Sequence, residues 1–238
     1  MDWITVTHST PSLADSVKLI LNDVPTNYTY VPDLKMALST FIARWQDPST
    51  GFFGPWYLDG DKVIKKSGLS PTFHVASYTN GMISYWPHLM TTLLQIKDNE
   101  YPYGWLEGGK MLHHHNMDVM RLFKLGWFWT DKAHRLEAKE AIEKMLAWCK
   151  TKILPEGKVD RTDGWSADDS AAANYSYVAA FLHHADYFKG ETPFWDRHRK
   201  FPEMEDVRLR LLHGIMNELD LNDTDTRGAL ESLGVIGG

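Results

Sequence analysis

"ALSTFIARWQDPSTGFFGPWY", Ala37 to Tyr57, and "SPTFHVASY", Ser70 to Tyr78, decide how this chain is read. The first closes a segment, Asp33 to Gln46, in which Leu34, Ala37, Leu38, Phe41, Ile42 and Trp45 recur at helical spacing. That spacing marks one face of a helix, and Pro32 and Asp33 supply start signals. The second reads as another helix, with Ser70 placed to cap it and Pro71 at its first position. The loop between them is far longer than the few residues that usually join neighbouring helices. It also concentrates Phe52, Phe53, Trp56 and Tyr57 within a short glycine-containing stretch.

The same plan recurs twice. A helix beginning at "PHLMTTLLQIK" leads through "DNEYPYGWLEGG" to a helix from about Lys110 to Trp129. Thr130 and Asp131 restart the chain. A helix over Lys132 to Lys152, with Ala138, Ile142, Met145, Leu146 and Cys149 on one face, leads through "ILPEGKVDRTDGWSADD" to a sixth helix ending near Phe188. In each pair a striped helix precedes one that is apolar nearly all round. A striped helix covers a core and an all-apolar one is buried in it, so the pairs predict an outer and an inner layer. Long loops alternating with short links place the loops at one end, where the inner helices begin. A period of about 50 to 60 residues is the mark of a stacked helical array.

The quoted segments resemble one repeat of the α/α-toroid proteins, in which a helix ends in Gln, a Gly-rich loop follows and a Thr/Ala/Tyr-rich inner helix comes next. Terpenoid cyclases, protein prenyltransferase subunits and several polysaccharide lyases and glycosidases share that plan. The resemblance covers roughly Asp33 to Phe188 and concerns architecture, since one fold hosts many functions. It implies an all-α fold: a single α/α-toroid domain over residues 1–238, incomplete or open-sided, or a piece of a longer protein. Two further helices are expected near Leu13–Leu21 and Met204–Leu219.

Composition narrows the partners. The net charge is −6, from 25 basic and 31 acidic residues, and no Lys/Arg run stands out, which argues against nucleic acid. No stretch approaches the ~20 apolar residues of a membrane span. The N-terminus lacks the charged and apolar regions of a signal peptide, so a soluble chain is expected. The lone Cys149 reads as a buried structural thiol. Aromatic residues reach 13%, enough to line a groove in which sugar rings stack, or to enlarge the core.

If the loops share one end, the starts of the inner helices bring together Thr72, His74 and Tyr78, then His113, His114, His115, Asn116 and Asp118, then Asp168, Asp169, Asn174, Tyr175 and Tyr177. Each has a plainer role. On a helix only His114/Asp118 and His115/Asp118 share a face, too few ligands for a structural metal site, so no cofactor is expected. Asp168 and Asp169 suit a helix start. His74 suits a hydrogen-bonded core position.

The leading expectation is a polysaccharide lyase acting on a uronate glycan by β-elimination, which needs a charge-offsetting donor, a base and an acid. Asn116 or His115 would offset charge, His74 would be the base, and Tyr175 or Tyr177 the acid. Arg161 could reach in from the third loop. Phe52, Phe53, Trp56, Tyr57, Trp105 and Trp165 would wall the cleft against an oligo- or polysaccharide. A glycoside hydrolase, pairing Asp118 with Asp168 or Asp169, or using Glu107, is the alternative. "ADDSAA" is not the Asp-rich motif of terpenoid cyclases. A non-catalytic glycan-binding or structural domain is the third reading.

Overall fold

A computed structural model describes residues 20–21, 32–54, 56–165 and 169–236. The helix expected near Leu13–Leu21 falls mostly outside them; Ile20 and Leu21 are helical. The described residues form eight principal helices: α1 (Pro32–Trp45), α2 (Leu69–Tyr78), α3 (Trp86–Gln95), α4 (His113–Gly126), α5 (Lys132–Thr151), α6 (Ala171–His184), α7 (Met204–Glu218) and α8 (Thr224–Ser232). Two small antiparallel hairpins accompany them, β1 (Trp56–Asp59) with β2 (Lys62–Lys65) and β3 (Leu106–Glu107) with β4 (Lys110–Met111). The all-α expectation holds.

Four of the helices pack in a row. α2 packs on α4, α4 on α6 and α6 on α8, while α3 packs on both α4 and α5. One hydrophobic core runs from Phe52 through Val119, Phe123, Tyr175 and Phe181 to Leu233. A smaller cluster joins Ile42 and Trp45 of α1 to Phe53 and to Val75 of α2. α1 is less deeply seated than its stripe predicts, for Leu34 and Phe41 stay exposed.

Local signals explain most boundaries. Asp131 caps α5, its carboxylate accepting from the N–H groups of Ala133 and His134 at 2.8 and 3.0 Å. Ser170, not Asp169, caps α6 by accepting from Ala173 N–H at 3.0 Å. Ser70 is not a cap either: α2 begins a residue earlier, after extended Gly68, and the Leu69 N–H donates to Pro102 O at 3.0 Å. α4 starts at His113 because Lys110 and Met111 are held in β4. α8 went unread in the sequence, being short and polar. Asp223 caps it, accepting from Asp225 and Thr226 N–H, and burial of Thr226, Ala229 and Leu230 holds it against α6.

Two of the long loops meet the starts of α2 and α4. Loop 96–112 reaches α2 through Pro102, and loop 152–170 reaches α4 through Gly164 O, which accepts from His113 N–H at 3.2 Å. The first loop is a plug rather than a spacer. Gln46, buried, donates to Gly51 O at 2.7 Å and accepts from Ser84 and Tyr85 N–H at 2.9 and 3.2 Å. Trp45 donates its indole N–H to Gly54 O at 2.7 Å. A Cβ on Gly54 would stand 1.7 Å from Lys66 O, so only glycine fits there. Gly54→Ala is expected to destabilise the fold by about 3 kcal/mol, the upper end for overpacking against rigid atoms. A urea midpoint equal to wild type would contradict that close approach.

The repeat is not uniform. The link from α6 to α7 spans 185–203 and inserts Tyr187, Trp195 and Phe201 into the core, whereas the α7–α8 turn covers only 219–223. Among the described residues no helix is long and apolar enough to cross a membrane.

Candidate functional site

A run of stacked rings joins the second loop to the first turns of α4 and to α6. Tyr101, on the second loop, stacks on His115 with centroids 4.1 Å apart and planes 14° from parallel. His115 tilts against His114 at 5.6 Å, and His114 stacks on Tyr177 of α6 at 4.5 Å and 6°. Adjacent helical residues project about 100° apart. His114 and His115 can thus reach different neighbours, one toward α6 and one toward the second loop.

Asp118 lies one turn below His114, with its Oδ2 3.9 Å from His114 Nε2. It is fully buried, and neither carboxylate oxygen has a hydrogen-bond partner among the described residues. Burial therefore raises its pKa well above the usual carboxylate range. Burial also lowers the His114 pKa, although about 31% of that side chain stays exposed. Burial thus works against charge on both partners, favouring the protonated carboxyl and the neutral imidazole.

The flanks are acidic. Glu107 Oε2 lies 3.8 Å from His115 Nε2, and Trp105 O lies 3.2 Å from His115 Nδ1. Burial lowers the His115 pKa to about 4, helped by His114. Asp169 and Asp225 lie beside Tyr177, whose hydroxyl is pushed up first by burial and then by those carboxylates and Asp118. Asp225 is raised by burial and by its neighbours Asp223 and Asp169. Tyr101 is raised by burial, then by Asp118 and Glu107.

Several sequence-based assignments need correction. Asn116 is buried on the opposite side of α4 from His114 and Asp118, as two residues of helix require, so it does not serve this cluster. Tyr175 faces away toward α7, its hydroxyl 3.0 Å from Glu218 Oε2 and accepting from Val159 N–H at 3.3 Å. His74 stands outside the stack, its Nδ1 3.0 Å from the Tyr78 hydroxyl on α2. Arg161 lies over the Trp165 ring and pairs with Glu218 at 3.6 Å. Phe52 and Phe53 are 3% and 0% exposed, so they plug the array instead of lining a cleft. Trp105 is buried edge-on to Phe123 and also leaves the cleft wall.

The remaining candidates either meet at the stack or fall outside the described residues. Tyr177, His115, Asp118 and Asp169 are brought together. Trp165 borders them, its indole N–H donating to Asp169 O at 3.2 Å. Asp168 and the side chains of Trp56 and Tyr57 fall outside the described residues. Tyr101 and Asp225 were missed. Tyr101 sits in the aromatic loop "DNEYPYGW", the one signal that pointed to it, and Asp225 rides on the unread α8.

Among the described residues no group of three or more His, Cys, Asp or Glu side chains is disposed to hold a metal. Cys149 is buried and its thiol is pushed up to about 12, an inert group. No family model matches the chain, and no curated protein or solved structure matches it significantly.

Asp118 makes a stability prediction with a definite sign. Its folded pKa is raised, so its stability contribution is complete below the unfolded value near 3.9 and is lost as pH rises toward the folded value. Asp118→Asn removes that loss. The variant is expected to melt higher at pH 7, by about 2–4 °C for each kcal/mol that the buried carboxyl loses there in a chain of this size. The gain should vanish near pH 4, which thermal melts at both pH values will check.

Proposed function

We propose that the chain is an open α/α-toroid array and an acid–base enzyme that cleaves a uronate-containing glycan by β-elimination. The observation that carries this reading is the contact between His114, Tyr177 and Asp118 where the inner helices begin.

β-Elimination breaks a C–H bond beside the uronate carboxylate and the C–O bond to the leaving sugar, and forms a C=C bond. His114 is neutral and partly exposed, so its free nitrogen takes the proton. Asp118 acts through His114 as a positioning residue, since it is sealed from substrate. A small turn of the ring closes the 3.9 Å gap and lets the carboxyl steady the charged imidazole. Tyr177 stays protonated far into the alkaline range and gives its proton to the departing alkoxide, a base strong enough to take it. His115, stacked on Tyr101 with its one N–H turned to Trp105 O, backs the His114 ring from behind.

A panel of uronate polysaccharides tests the proposal. The expected result is rising ultraviolet absorbance from the unsaturated product. One observation favours a hydrolase as the second reading: Asp169 and Asp225 lie close enough for one to raise the other, the asymmetry an acid–base carboxyl pair needs. Reducing-sugar release without the absorbance change would select it. Glycan binding with neither signal would leave a non-catalytic module.

A further inference from the structure

A separate cavity lies on the other side of α4. This cavity of about 490 Å³ opens between the 106–111 hairpin, α4 and α5, a volume typical of small-ligand pockets. Trp105, Leu106, Met111, Met145 and Trp148 give it an apolar part, Asn116 also lines it, and charged side chains from the α3 end, the hairpin, α5 and the third loop complete it. Asn116 and Trp105 are 1% and 5% exposed, and three of their polar atoms have no partner among the described residues: Asn116 Oδ1, Asn116 Nδ2 and Trp105 Nε1. Each such buried group costs about 1–3 kcal/mol if left unpaired. None of the contacts around His114 uses them.

From this we infer that the cavity binds a small, neutral ring compound bearing an amide edge. The donor set dictates the class. The Asn116 carboxamide offers one acceptor and one donor side by side, which matches the N–H and C=O of a secondary amide or lactam. The Trp105 indole N–H is a second donor, and a carbonyl oxygen has two lone pairs to receive both. Two tryptophans and two methionines supply the flat and adaptable surfaces that a ring contacts. The rim favours a neutral ligand, because its charges are of mixed sign: Lys97 pairs with Glu137 and Lys110 with Asp163, and Lys144 stands with Asp98 and Glu140. The polar atoms lie just beneath the cavity wall, so entry requires wall side chains to shift. Met111 and Met145, unbranched, are suited to that. The inference is independent of the chemistry proposed at His114.

The amide edge occurs in acetamido sugars and in lactam bases, so the probes are N-acetylglucosamine and uracil, with glucose as the control that lacks an amide. Calorimetric titration is combined with nuclear magnetic resonance of the Trp105 indole N–H. Saturable binding of either amide probe is expected, with a shift of the Trp105 resonance and at least tenfold weaker binding of glucose. Binding by one probe alone identifies the source. Asn116→Leu is expected to weaken that binding at least tenfold. Its melting temperature should hold or rise, since an unpaired amide is replaced by an apolar group of similar shape. No binding of either amide probe, equal binding of glucose, or an unmoved Trp105 resonance overturns the assignment, whether or not the variant folds.

Discussion

Replacing His114 by Ala is expected to lower kcat/KM for the eliminated glycan by roughly 10²–10⁴-fold, the usual contribution of a positioned general base. Tyr177→Phe is expected to lower kcat by a similar factor while KM changes little. It removes the donated proton but keeps the ring that stacks on His114 at 4.5 Å. The pH profile carries the sharper test. Burial lowers the His114 pKa, so the base is already free in mildly acidic solution. The rising limb of kcat/KM should have its midpoint below the ordinary histidine value near 6.5 and be flat through neutrality. The falling limb should lie above 10, because the Tyr177 hydroxyl is pushed up by burial and nearby carboxylates. Asp118→Asn should shift the acidic limb more than it changes KM, as expected of a group acting through His114. Full activity in His114→Ala would place the chemistry elsewhere.

The second large effect is acid lability. Burial holds the folded pKa of His113 near 3, of His115 near 4 and of His184 near 3. The unfolded chain protonates histidine near 6.5, so it binds more protons than the folded chain below that pH. Each ring's contribution is present above 6.5 and is lost as pH falls toward the folded values. One unit below 6.5 the ceiling is about 1.4 kcal/mol for each ring, hence about 4 kcal/mol together, a large share of a typical 5–15 kcal/mol. Asp118 works in the opposite direction and softens the slope. Urea midpoints should therefore fall between pH 7 and pH 5, and fall more steeply in Asp118→Asn. His113→Phe, which keeps a ring against Trp148, should remove about a third of the histidine slope. Stability that is level or rising over that interval would contradict the burial of these rings.

The first prediction and two of the three rings in the second come from "HHHNMD", which marks how much local spacing can tell. Helical geometry already excluded three consecutive histidines from one metal and paired His114 with Asp118. It could not say which neighbour each ring would meet. His113 packs on Trp148, His114 on Tyr177 and His115 on Tyr101, three partners from three distant parts of the chain. The same limit misplaced Tyr175. Two residues before Tyr177 on α6, it projects from another side of the helix and meets Glu218 on α7. Which side of an inner helix faces the basin depends on its rotation against its neighbours, and a helix apolar all round leaves no stripe to report it.

The sequence by itself determined the all-α class and most of the helices, though not α8. These follow from periodicity and local punctuation, which act within a turn or a loop. Asp131 as a cap and Asp223 as an overlooked one are of that kind. Only the tertiary structure decided what the aromatic loop does. Phe52 and Phe53 look alike as cleft wall or plug, because an aromatic side chain serves either. The outcome rests on long-range contacts, with Gln46 bonded to Ser84 and Tyr85 and Phe53 packed between Trp45 and Val75. Such contacts join residues far apart in sequence, and local spacing carries no record of them.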